Sequence, residues 1–295
     1  MNEKKRKKLL FIINPGSGSG EIDWCSIIKN YFELSDFTID CFSMPEDCDI
    51  QKIKDKIQIF FPDQVVAVGG DGTVKLVAEC LLQKNIPIGI LPAGSANGLA
   101  KELGISSDPI LALDELINGY SKKVHAIKIN NELCLHLSDI GFNAFVIKNF
   151  ETQTGRGMWG YLKAAVKALW IHRYLMIELQ FQNKKIKLKA AMVVIANATQ
   201  YGTGALINPL GKLDDDVFEV IAVKKISFRE IFKMLISHEP FDPKKTEIFQ
   251  TNSLLIQSKR KAHFQVDGEY LGKVNKVQAD IILNALEIIV PAKSN

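Results

Sequence analysis

The first part of the chain alternates short, continuously apolar segments with segments whose apolar residues recur at helical spacing. Continuous apolar runs are typical of parallel strands buried on both faces. The predicted strands are 9–13, 37–42, 64–68 and 87–91, with 125–129 as a further candidate, and the predicted helices are 22–34, 50–60, 73–83 and 95–103. This alternation predicts a doubly wound parallel sheet in an α/β domain that covers residues 1–125.

After about residue 125, strand-like segments follow one another with few helices between them. The predicted strands are 177–182, 186–188, 192–196, 217–223, 254–257, 263–266 and 280–290, and the predicted helices are 158–171 and 228–237. Turn signals such as Gln182-Asn183 and Asp267-Gly268 separate neighbouring strands. The pattern predicts an antiparallel sandwich or barrel over 126–295, and we favour a β-sandwich. It leaves open whether the extreme C-terminus packs on the first domain.

Composition narrows the class of protein. The net charge of +4 argues against a dedicated nucleic-acid-binding protein. No apolar run approaches the ~20 residues that span a bilayer, and the apolar segment 9–13 is too short for a signal peptide, so we expect a cytoplasmic protein. The cysteines have neither C-x-x-C spacing nor a histidine at metal-ligand spacing, and we expect buried free thiols at 25, 41, 48, 80 and 134.

Basic residues are concentrated in the segment 145–189, which has nine Lys and Arg residues against two Glu. Such a segment suits an anionic lipid surface, although a solvated basic hairpin and helix fit it equally well. The predicted helix 158–171 carries Trp159, Tyr161 and Trp170 among basic residues. Interfacial aromatic residues favour a membrane surface, and core packing of the same rings is the alternative.

A glycine-rich turn follows the third predicted strand. It consists of Gly69, Gly70, Asp71, Gly72 and Thr73. Glycines let backbone N–H groups approach a ligand closely, and the start of a helix after a buried strand favours phosphate. A carboxylate beside phosphate suits a nucleotide-bound Mg²⁺, so Asp71 is a candidate metal-facing residue. The alternative is a tight turn with a capping Asp.

Two further glycine-rich turns follow the first and fourth predicted strands. They read N-P-G-S-G-S-G at 14–20 and P-A-G-S-A-N-G at 92–98. Neither contains the Lys-Ser/Thr of a Walker loop, and neither is G-x-G-x-x-G. Because the carboxyl ends of parallel strands share one sheet edge, the three turns together predict a nucleotide site there.

These motifs resemble the catalytic family of the diacylglycerol kinases, which includes bacterial lipid kinases and the sphingosine and ceramide kinases. The resemblance rests on N-P-G-S-G, G-G-D-G-T and P-A-G-S-A-N, and continues through S-D-I-G-F-N-A at 138–144 and V-D-G-E at 266–269. G-G-D-G-T alone is shared with NAD kinases. The resemblance implies a nucleotide domain similar to NAD kinase and phosphofructokinase, followed by a β-sandwich.

The resemblance also implies roles for individual residues. Glu269 matches the proposed catalytic residue with Asp267 beside it, and Asp71 matches the carboxylate that organises Mg-ATP. The positions that correspond to ATP contacts are Asn14, Pro15, Gly16, Ser17, Gly18, Ser43, Gly69, Gly70, Asp71, Gly72, Thr73, Gly94, Ser95 and Asn97. Leu213, Asp216 and Phe218 match a structural Mg²⁺ site, at which Ca²⁺ is the alternative. From the residues alone, Asp267-Gly268 is also an ordinary hairpin turn.

The expected function is therefore ATP-dependent phosphorylation of a lipid hydroxyl, on a diacylglycerol-like or related lipid at a membrane surface. A homodimer is also considered. One alternative is a kinase with a soluble substrate, similar to NAD kinase. The other is a non-catalytic nucleotide or lipid sensor, suggested by Lys75 and Gly98, which depart from the family's usual residues. Lys75 either contacts phosphate or is exposed.

Overall fold

The chain divides into two structural units. The computed structural model describes residues 6–18, 22–151, 158–171, 173–200, 206–232 and 241–292. The first unit comprises Met1–Val124 with Asn284–Asn295, and the second comprises His125–Leu283. The side chains of Trp159 and Tyr161 lie outside the described part of the chain. No helix of that part is long and apolar enough to cross a membrane.

The first unit is built on a parallel sheet with helices between its strands. Its strands are β1 (Lys7–Ile13), β2 (Phe37–Ser43), β3 (Gln64–Gly69) and β4 (Ile88–Pro92), in the spatial order β4-β3-β1-β2. Its helices are α1 (Trp24–Phe32), α2 (Ile50–Phe60), α3 (Asp71–Leu81), α4 (Gly98–Glu102) and α5 (Pro109–Asn118). Every residue of β3 is buried, as expected for a strand covered on both faces. The predicted doubly wound α/β domain is confirmed.

Helix α5 was not predicted, although its start signals are present in the sequence. The Asp108 carboxylate accepts hydrogen bonds from the N–H groups of Ile110 and Leu111, and Pro109 occupies the first turn. An Asp cap followed by Pro is a favourable helix start. These start signals lie in the local sequence. Helix α5 could therefore have been predicted without knowledge of the tertiary structure.

The second unit is mainly antiparallel. Its elements are β5 (Tyr120–Ile129, which begins in the first unit), β6 (Glu132–Cys134), β7 (Leu137–Gly141), α6 (Phe142–Glu151), α7 (Met158–Ile171), β8 (Leu175–Gln180), β9 (Lys185–Ala190), β10 (Met192–Ala196), β11 (Phe218–Val223), α8 (Phe228–Phe232), a 3-10 turn (Pro243–Lys245), β12 (Thr246–Thr251), β13 (Ser253–Val266) and β14 (Glu269–Val290, which ends in the first unit). The order is β12-β11-β10-β7-β13-β14, and the β8–β9 hairpin pairs with β13. The predicted β-sandwich is confirmed.

Strand boundaries in the second unit differ from the prediction because backbone pairing continues where the apolar pattern stops. The predicted strands 254–257 and 263–266 form the single strand β13, whose register shifts between Gln257 and Ala262. Exposed polar residues occupy that irregular stretch and break the pattern. Strands β7 and β12 and helix α6 were also missed. Helix α8 begins at the predicted residue, and 233–237 lie outside the described residues.

The cysteines are free thiols, as predicted, but their burial was predicted incorrectly at three positions. Cys80 and Cys134 are buried, whereas Cys25, Cys41 and Cys48 are half-buried. Cys80 lies in the first unit and Cys134 in the second, while the three half-buried thiols lie on α1, on β2 and in the segment between β2 and α2. Apolar character alone does not distinguish these two environments.

Candidate nucleotide and phosphoryl-transfer sites

The three glycine-rich turns of the first unit meet at the carboxyl edge of its sheet. Ile13 pairs with Val68, and Gly69 pairs with Pro92, so the turns begin at one level. The Asn14 backbone N–H donates to the Val68 carbonyl (2.9 Å), and its Nδ2 donates to Thr73 Oγ1 (3.1 Å). These bonds join the first turn to the second. The sequence had placed the turns at one edge, and the geometry adds that they are hydrogen-bonded to one another.

Close backbone contact explains two of the glycines. A Cβ added to Gly94 would lie 2.5 Å from the Gly70 Cα. Gly18 has φ +67°, and a Cβ there would lie 2.4 Å from the Ala93 carbonyl oxygen. Both distances are far below van der Waals contact, and the obstructing atoms are backbone. The second and third turns therefore fit together only with glycine at position 94.

We expect Gly94→Ala to weaken nucleotide binding and to destabilise the first unit by roughly 1–3 kcal/mol, the usual cost of overpacking. Gly72→Ala is the matched control, because a Cβ at Gly72 meets no atom within 4 Å and the residue lies in α3. Alanine in a helix is favoured by about 0.5–1 kcal/mol over glycine. Thermal unfolding of both variants tests this, and equal stability of the two would contradict the close approach.

A cavity of about 190 Å³ lies beside the first turn. Among the predicted contacts, Asn14, Pro15, Ser17 and Ser43 line it, so the structure brings Ser43 to the turn from the end of β2. The lining residues that were not predicted are Ile13, Ile22, Asp23, Trp24, Cys25 and Ala93. An aromatic residue soon after the turn was the available signal. Ligand pockets usually measure ~300–1,000 Å³, so this cavity suits part of a nucleotide.

Asp71 binds the start of another helix. One carboxylate oxygen accepts from the Gly98 N–H (2.9 Å), and the other accepts from the Leu99 N–H (3.0 Å). These groups are the first N–H donors of α4, where a negative charge is favourable. A carboxylate has about four lone-pair sites, so both oxygens keep acceptor capacity. Asp71 therefore caps α4, whereas the start of its own helix α3 has no side-chain cap. Its role towards Mg²⁺ stays a prediction.

The third turn is shaped by Asn97. Its Oδ1 accepts from the Gly94 N–H (2.9 Å), its Nδ2 donates to the Gly94 carbonyl (2.7 Å), and its φ is +51°. Asn tolerates this left-handed conformation better than most residues. Ser95 is exposed between these two residues. Asn97 thus holds the turn, and the ligand contact predicted for it is untested.

Lys75 is buried in α3, with 6% of its surface exposed. The alternative that Lys75 is a solvent-exposed residue is therefore wrong. A lysine side chain by itself favours the surface. Only packing around α3 decided its burial.

The predicted catalytic turn in the second unit separates its two carboxylates. Asp267 and Gly268 have φ of +49° and +89°, which is the geometry of a two-residue hairpin turn. The Asp267 carboxylate accepts backbone hydrogen bonds from Leu135 (2.9 Å), His136 (2.9 Å) and Leu137 (3.1 Å). It therefore clamps the turn to the start of β7. Glu269, the first residue of β14, is exposed.

A buried carboxylate, that of Asp139, supports this turn through hydrogen bonds, and no role had been predicted for it. Asp139 is 1% exposed and accepts from Asn143 Nδ2 (2.6 Å), the Ala144 N–H (2.7 Å) and Gln265 Nε2 (2.6 Å). Gln265 Oε1 in turn accepts from the Gly268 N–H (2.8 Å). The available signal was the D-I-G-F-N sequence at 139–143. The network fixes the backbone from which Glu269 projects.

The predicted metal residues lie at the start of β11. The Leu213 carbonyl accepts from the His125 N–H (2.7 Å), and Asp216 is exposed, with Oδ1 3.5 Å from His125 Nε2. Phe218 is fully buried, so it can offer only its backbone. Among the described residues, no group of three His, Cys, Asp or Glu side chains could hold a metal.

Asp215 is an additional candidate at this position. Its Oδ1 is buried and has no hydrogen-bond partner among the described residues. Burial raises the pKa of Asp215 above its ordinary value, because nothing nearby compensates the charge fully. An orphaned oxygen beside an exposed carboxylate and a backbone carbonyl fits a hard cation such as Mg²⁺ or Ca²⁺. Cation binding by the predicted ligand set stays a prediction.

Comparison with known proteins identifies the class. Residues 8–129 match the model of the diacylglycerol kinase catalytic domain, and residues 139–290 match the YegS C-terminal NAD kinase beta sandwich-like domain. Together they span nearly all of the chain, and the second alone covers more than half of it. The chain therefore belongs to the diacylglycerol kinase and YegS-like kinase family.

Individual relatives are distant. A diacylglycerol kinase of Bacillus subtilis is 23% identical over 71% of this chain and 72% of its own length. An uncharacterised protein of Synechocystis is 25% identical over 78% of this chain, which spans only 55% of that protein. At this identity, the family is shown and the lipid substrate is not.

Solved structures agree on the fold. A putative diacylglycerol kinase from Bacillus anthracis superposes with a TM-score of 0.77 at 18% identity, covering 98% of both chains. Yeast NADH kinase superposes with a TM-score of 0.58 at 10% identity, covering 99% of this chain and 85% of its own. These identities support the fold alone. The predicted NAD-kinase-like architecture is confirmed.

Proposed function

We propose that this chain is an ATP-dependent lipid kinase that transfers the γ-phosphate to the hydroxyl of a diacylglycerol-like or related lipid. The observation that carries the proposal is the meeting of three glycine-rich turns around Asp71, next to a cavity lined by Asn14 and Ser43. Membership of the kinase family supports phosphoryl transfer as the reaction. The V-D-G-E turn supplies the second requirement, a carboxylate that accepts a hydroxyl proton.

In this proposal, the first unit holds the nucleotide through backbone groups. Gly16 N–H donates to Asn14 Oδ1 (3.0 Å), and the Ser17 N–H donates to the Asn14 carbonyl (3.1 Å), so Asn14 organises the first turn. Backbone N–H groups at the ends of parallel strands favour phosphate. Asp71, with acceptor capacity left after capping α4, would hold the nucleotide's Mg²⁺, which supplies neutralisation of phosphate charge.

The second unit would prepare the lipid hydroxyl. Asp267 is occupied by three backbone N–H groups, whereas Glu269 is exposed beside it. We therefore assign the general base to Glu269 and the clamping of the turn to Asp267. A base must reach the hydroxyl and accept its proton while the bond to phosphorus forms. A structural cation would bind at Leu213, at Phe218 and at either Asp215 or Asp216. It would take no part in phosphoryl transfer.

The test is a radiolabelled ATP assay against diacylglycerol, sphingosine, ceramide and other lipids in mixed micelles, with NAD included. We expect label in one lipid class and none in NAD. Labelling of NAD alone would overturn the lipid assignment. It would favour the NAD-kinase-like alternative, which is considered because the chain has a fold similar to that of yeast NADH kinase. Nucleotide binding without any labelled product would favour the sensor.

We expect Asp71→Asn to lower Mg-ATP affinity roughly 10- to 100-fold, the worth of one charge-assisted contact, and to lower turnover as well. Each Asp71 oxygen accepts one backbone N–H, and an amide can accept at only one, so stability should also fall by about 1 kcal/mol. Calorimetric titration and thermal unfolding measure the two effects.

Asp108→Asn is the matched control for Asp71→Asn. Asp108 also accepts two helix N–H groups, at the start of α5, but lies outside the glycine-rich turns. Both N–H groups bond to the single oxygen Asp108 Oδ1, so an amide oxygen can keep both bonds. We therefore expect a smaller stability loss than in Asp71→Asn, with unchanged Mg-ATP affinity. Equal affinity in the Asp71 and Asp108 variants would reduce Asp71 to a capping residue.

A further inference from the structure

Two cysteines of the first unit lie on packed faces of neighbouring elements. Cys25 is in the first turn of α1, and Cys41 is near the end of β2. The Phe32 ring, at the end of α1, packs against the Phe37 ring, at the start of β2, with the ring centroids 5.4 Å apart. Because α1 packs along β2, the two elements run in opposite directions. The start of α1 therefore lies near the end of β2.

The repeat of each element places the two thiols opposite each other. Cys25 precedes Phe32 by two helical turns, so both side chains lie on one face of α1. Cys41 follows Phe37 by four residues, so both side chains lie on one face of β2. These separations measure about 10.5 Å along the helix and roughly 13 Å along the strand. The ring contact at one end thus brings Cys25 and Cys41 together at the other.

The two thiols interact directly. The pKa of Cys41 is raised to about 12, first by burial and then by the charge of Cys25 and a side-chain hydrogen bond with it. Lys29, one helical turn after Cys25, also acts electrostatically on Cys41. Both thiols are free and half-buried. The interaction is the contact that the spacing along the two elements leads us to expect.

Cys25 also lines the cavity beside the first glycine-rich turn. The same lining includes Ser43, which follows Cys41 by two residues and lies on the same face of β2. At about 190 Å³ the cavity admits a molecule as small as hydrogen peroxide, since a water molecule takes up only ≈ 30 Å³ of liquid. Of the two thiols, Cys25 is the one in the described lining. A small oxidant therefore reaches Cys25 first.

We propose that Cys25 and Cys41 form a reversible disulfide on exposure to a peroxide, and that this bond alters the cavity. The Cys25 thiol loses its proton, its sulfur attacks one oxygen of hydrogen peroxide, and a sulfenic acid and one water form. The Cys41 sulfur then attacks the Cys25 sulfur, and the sulfenic hydroxide leaves with the Cys41 proton as a second water. In total, two thiols are oxidised to one disulfide, and one peroxide is reduced to two waters.

The disulfide would change the wall of the cavity. Bonded sulfur atoms lie about 2.05 Å apart, far closer than two thiols in contact, so the first turn of α1 has to move towards β2. Trp24 and Cys25 of this turn belong to the cavity wall. We therefore expect the disulfide to weaken Mg-ATP binding at least about fivefold, the low end of the usual coupling between two sites. This effect rests on the proposed function, whereas disulfide formation does not.

The first test is oxidation of the full chain by hydrogen peroxide, followed by peptide mapping without reductant. We expect a Cys25–Cys41 cross-link that dithiothreitol reverses. In Cys41→Ser, a Cys25 sulfenic acid should accumulate and react with dimedone, whereas Cys25→Ser should leave Cys41 unmodified. The matched control is Cys48→Ser, since Cys48 is also half-buried in the first unit but its thiol donates to the Asp49 carbonyl (3.7 Å). The cross-link should form there as in the unchanged chain.

Absence of this cross-link would overturn the proposal, and so would a cross-link of either thiol to Cys48 in its place. A dimedone adduct on Cys41 in Cys25→Ser would overturn the assignment of Cys25 as the thiol that the oxidant reaches first. Thermal unfolding confirms that each variant is folded.

The second test measures Mg-ATP affinity of the reduced and the oxidised chain by titration calorimetry. We expect the fivefold or larger loss described above, with full recovery after reduction. Because coupling is reciprocal, saturating Mg-ATP should disfavour the disulfide by the same factor in a thiol redox buffer. Equal affinities of the two forms would overturn the effect on the cavity. If the reduced chain bound no Mg-ATP, the proposed function would fail, and peptide mapping would still decide whether the disulfide forms.

Discussion

Glu269→Gln is expected to lower kcat by roughly 10²–10⁴-fold while ATP affinity changes little. This is the usual worth of a positioned general base, and glutamine keeps the size and much of the hydrogen-bonding capacity of the side chain. The residue is exposed at the start of β14, so the fold should be unaffected. Steady-state kinetics, with ATP affinity from titration calorimetry, measure the two quantities separately.

Asp280→Asn is the control for this variant. It removes a carboxylate of the same strand that accepts from Ser253 Oγ (2.6 Å) and has no assigned role in transfer, so kcat should stay unchanged. A near-normal kcat in Glu269→Gln would contradict the assignment and make Asp267 the next candidate. Reduced ATP affinity with unchanged turnover would instead place Glu269 in the nucleotide site.

Asp267→Ala is expected to lower the free energy of unfolding of the second unit more than the two comparison variants, Asp267→Asn and Asp242→Ala. The change leaves three backbone N–H groups, of residues 135–137, without their acceptor. Stranded, partly buried donors cost about 1–3 kcal/mol each, so we expect a total of at least ~3 kcal/mol. At roughly 2–4 °C per kcal/mol for a unit of this size, the Tm should fall by about 10 °C. Differential scanning calorimetry measures it.

Asp267→Asn and Asp242→Ala are the comparisons for this loss. The first keeps one acceptor oxygen and should recover part of the stability. The second removes an Asp that accepts from a single backbone N–H, that of Lys244, and should cost about 1 kcal/mol. If Asp267→Asn lost turnover and kept full stability, the Asp267 carboxylate would act in catalysis and not in holding the turn. The assignment of the general base to Glu269 would then be wrong.

The first unit was predictable because its information is local. Buried parallel strands are continuously apolar, and Ile50–Phe60 and the buried face of α3 follow the helical period closely. Glycine-rich turns after such strands have to meet at one edge, since parallel strands end there. The sequence therefore determined the architecture and the location of the glycine-rich turns, and the family resemblance predicted their role in nucleotide binding.

The second unit was less predictable because its pairing is not local. Polar residues inside β13 interrupt the apolar pattern, yet pairing with β8 and β14 keeps the strand continuous. Strand β12 is half exposed, so it lacks the signal of a buried strand. Contacts between residues far apart in sequence decide these boundaries.

At the level of the site, the sequence predicted which residues carry chemistry, and the tertiary structure decided which backbone groups surround each of them. V-D-G-E contains two carboxylates, and only the family resemblance favoured Glu269 over Asp267 as the catalytic residue. Only the return of residues 135–137, some 130 positions away, occupies Asp267 and leaves Glu269 exposed. Asp71 likewise binds α4, which begins 27 residues later. A carboxylate's role depends on which N–H groups surround it, and those groups come from distant parts of the chain.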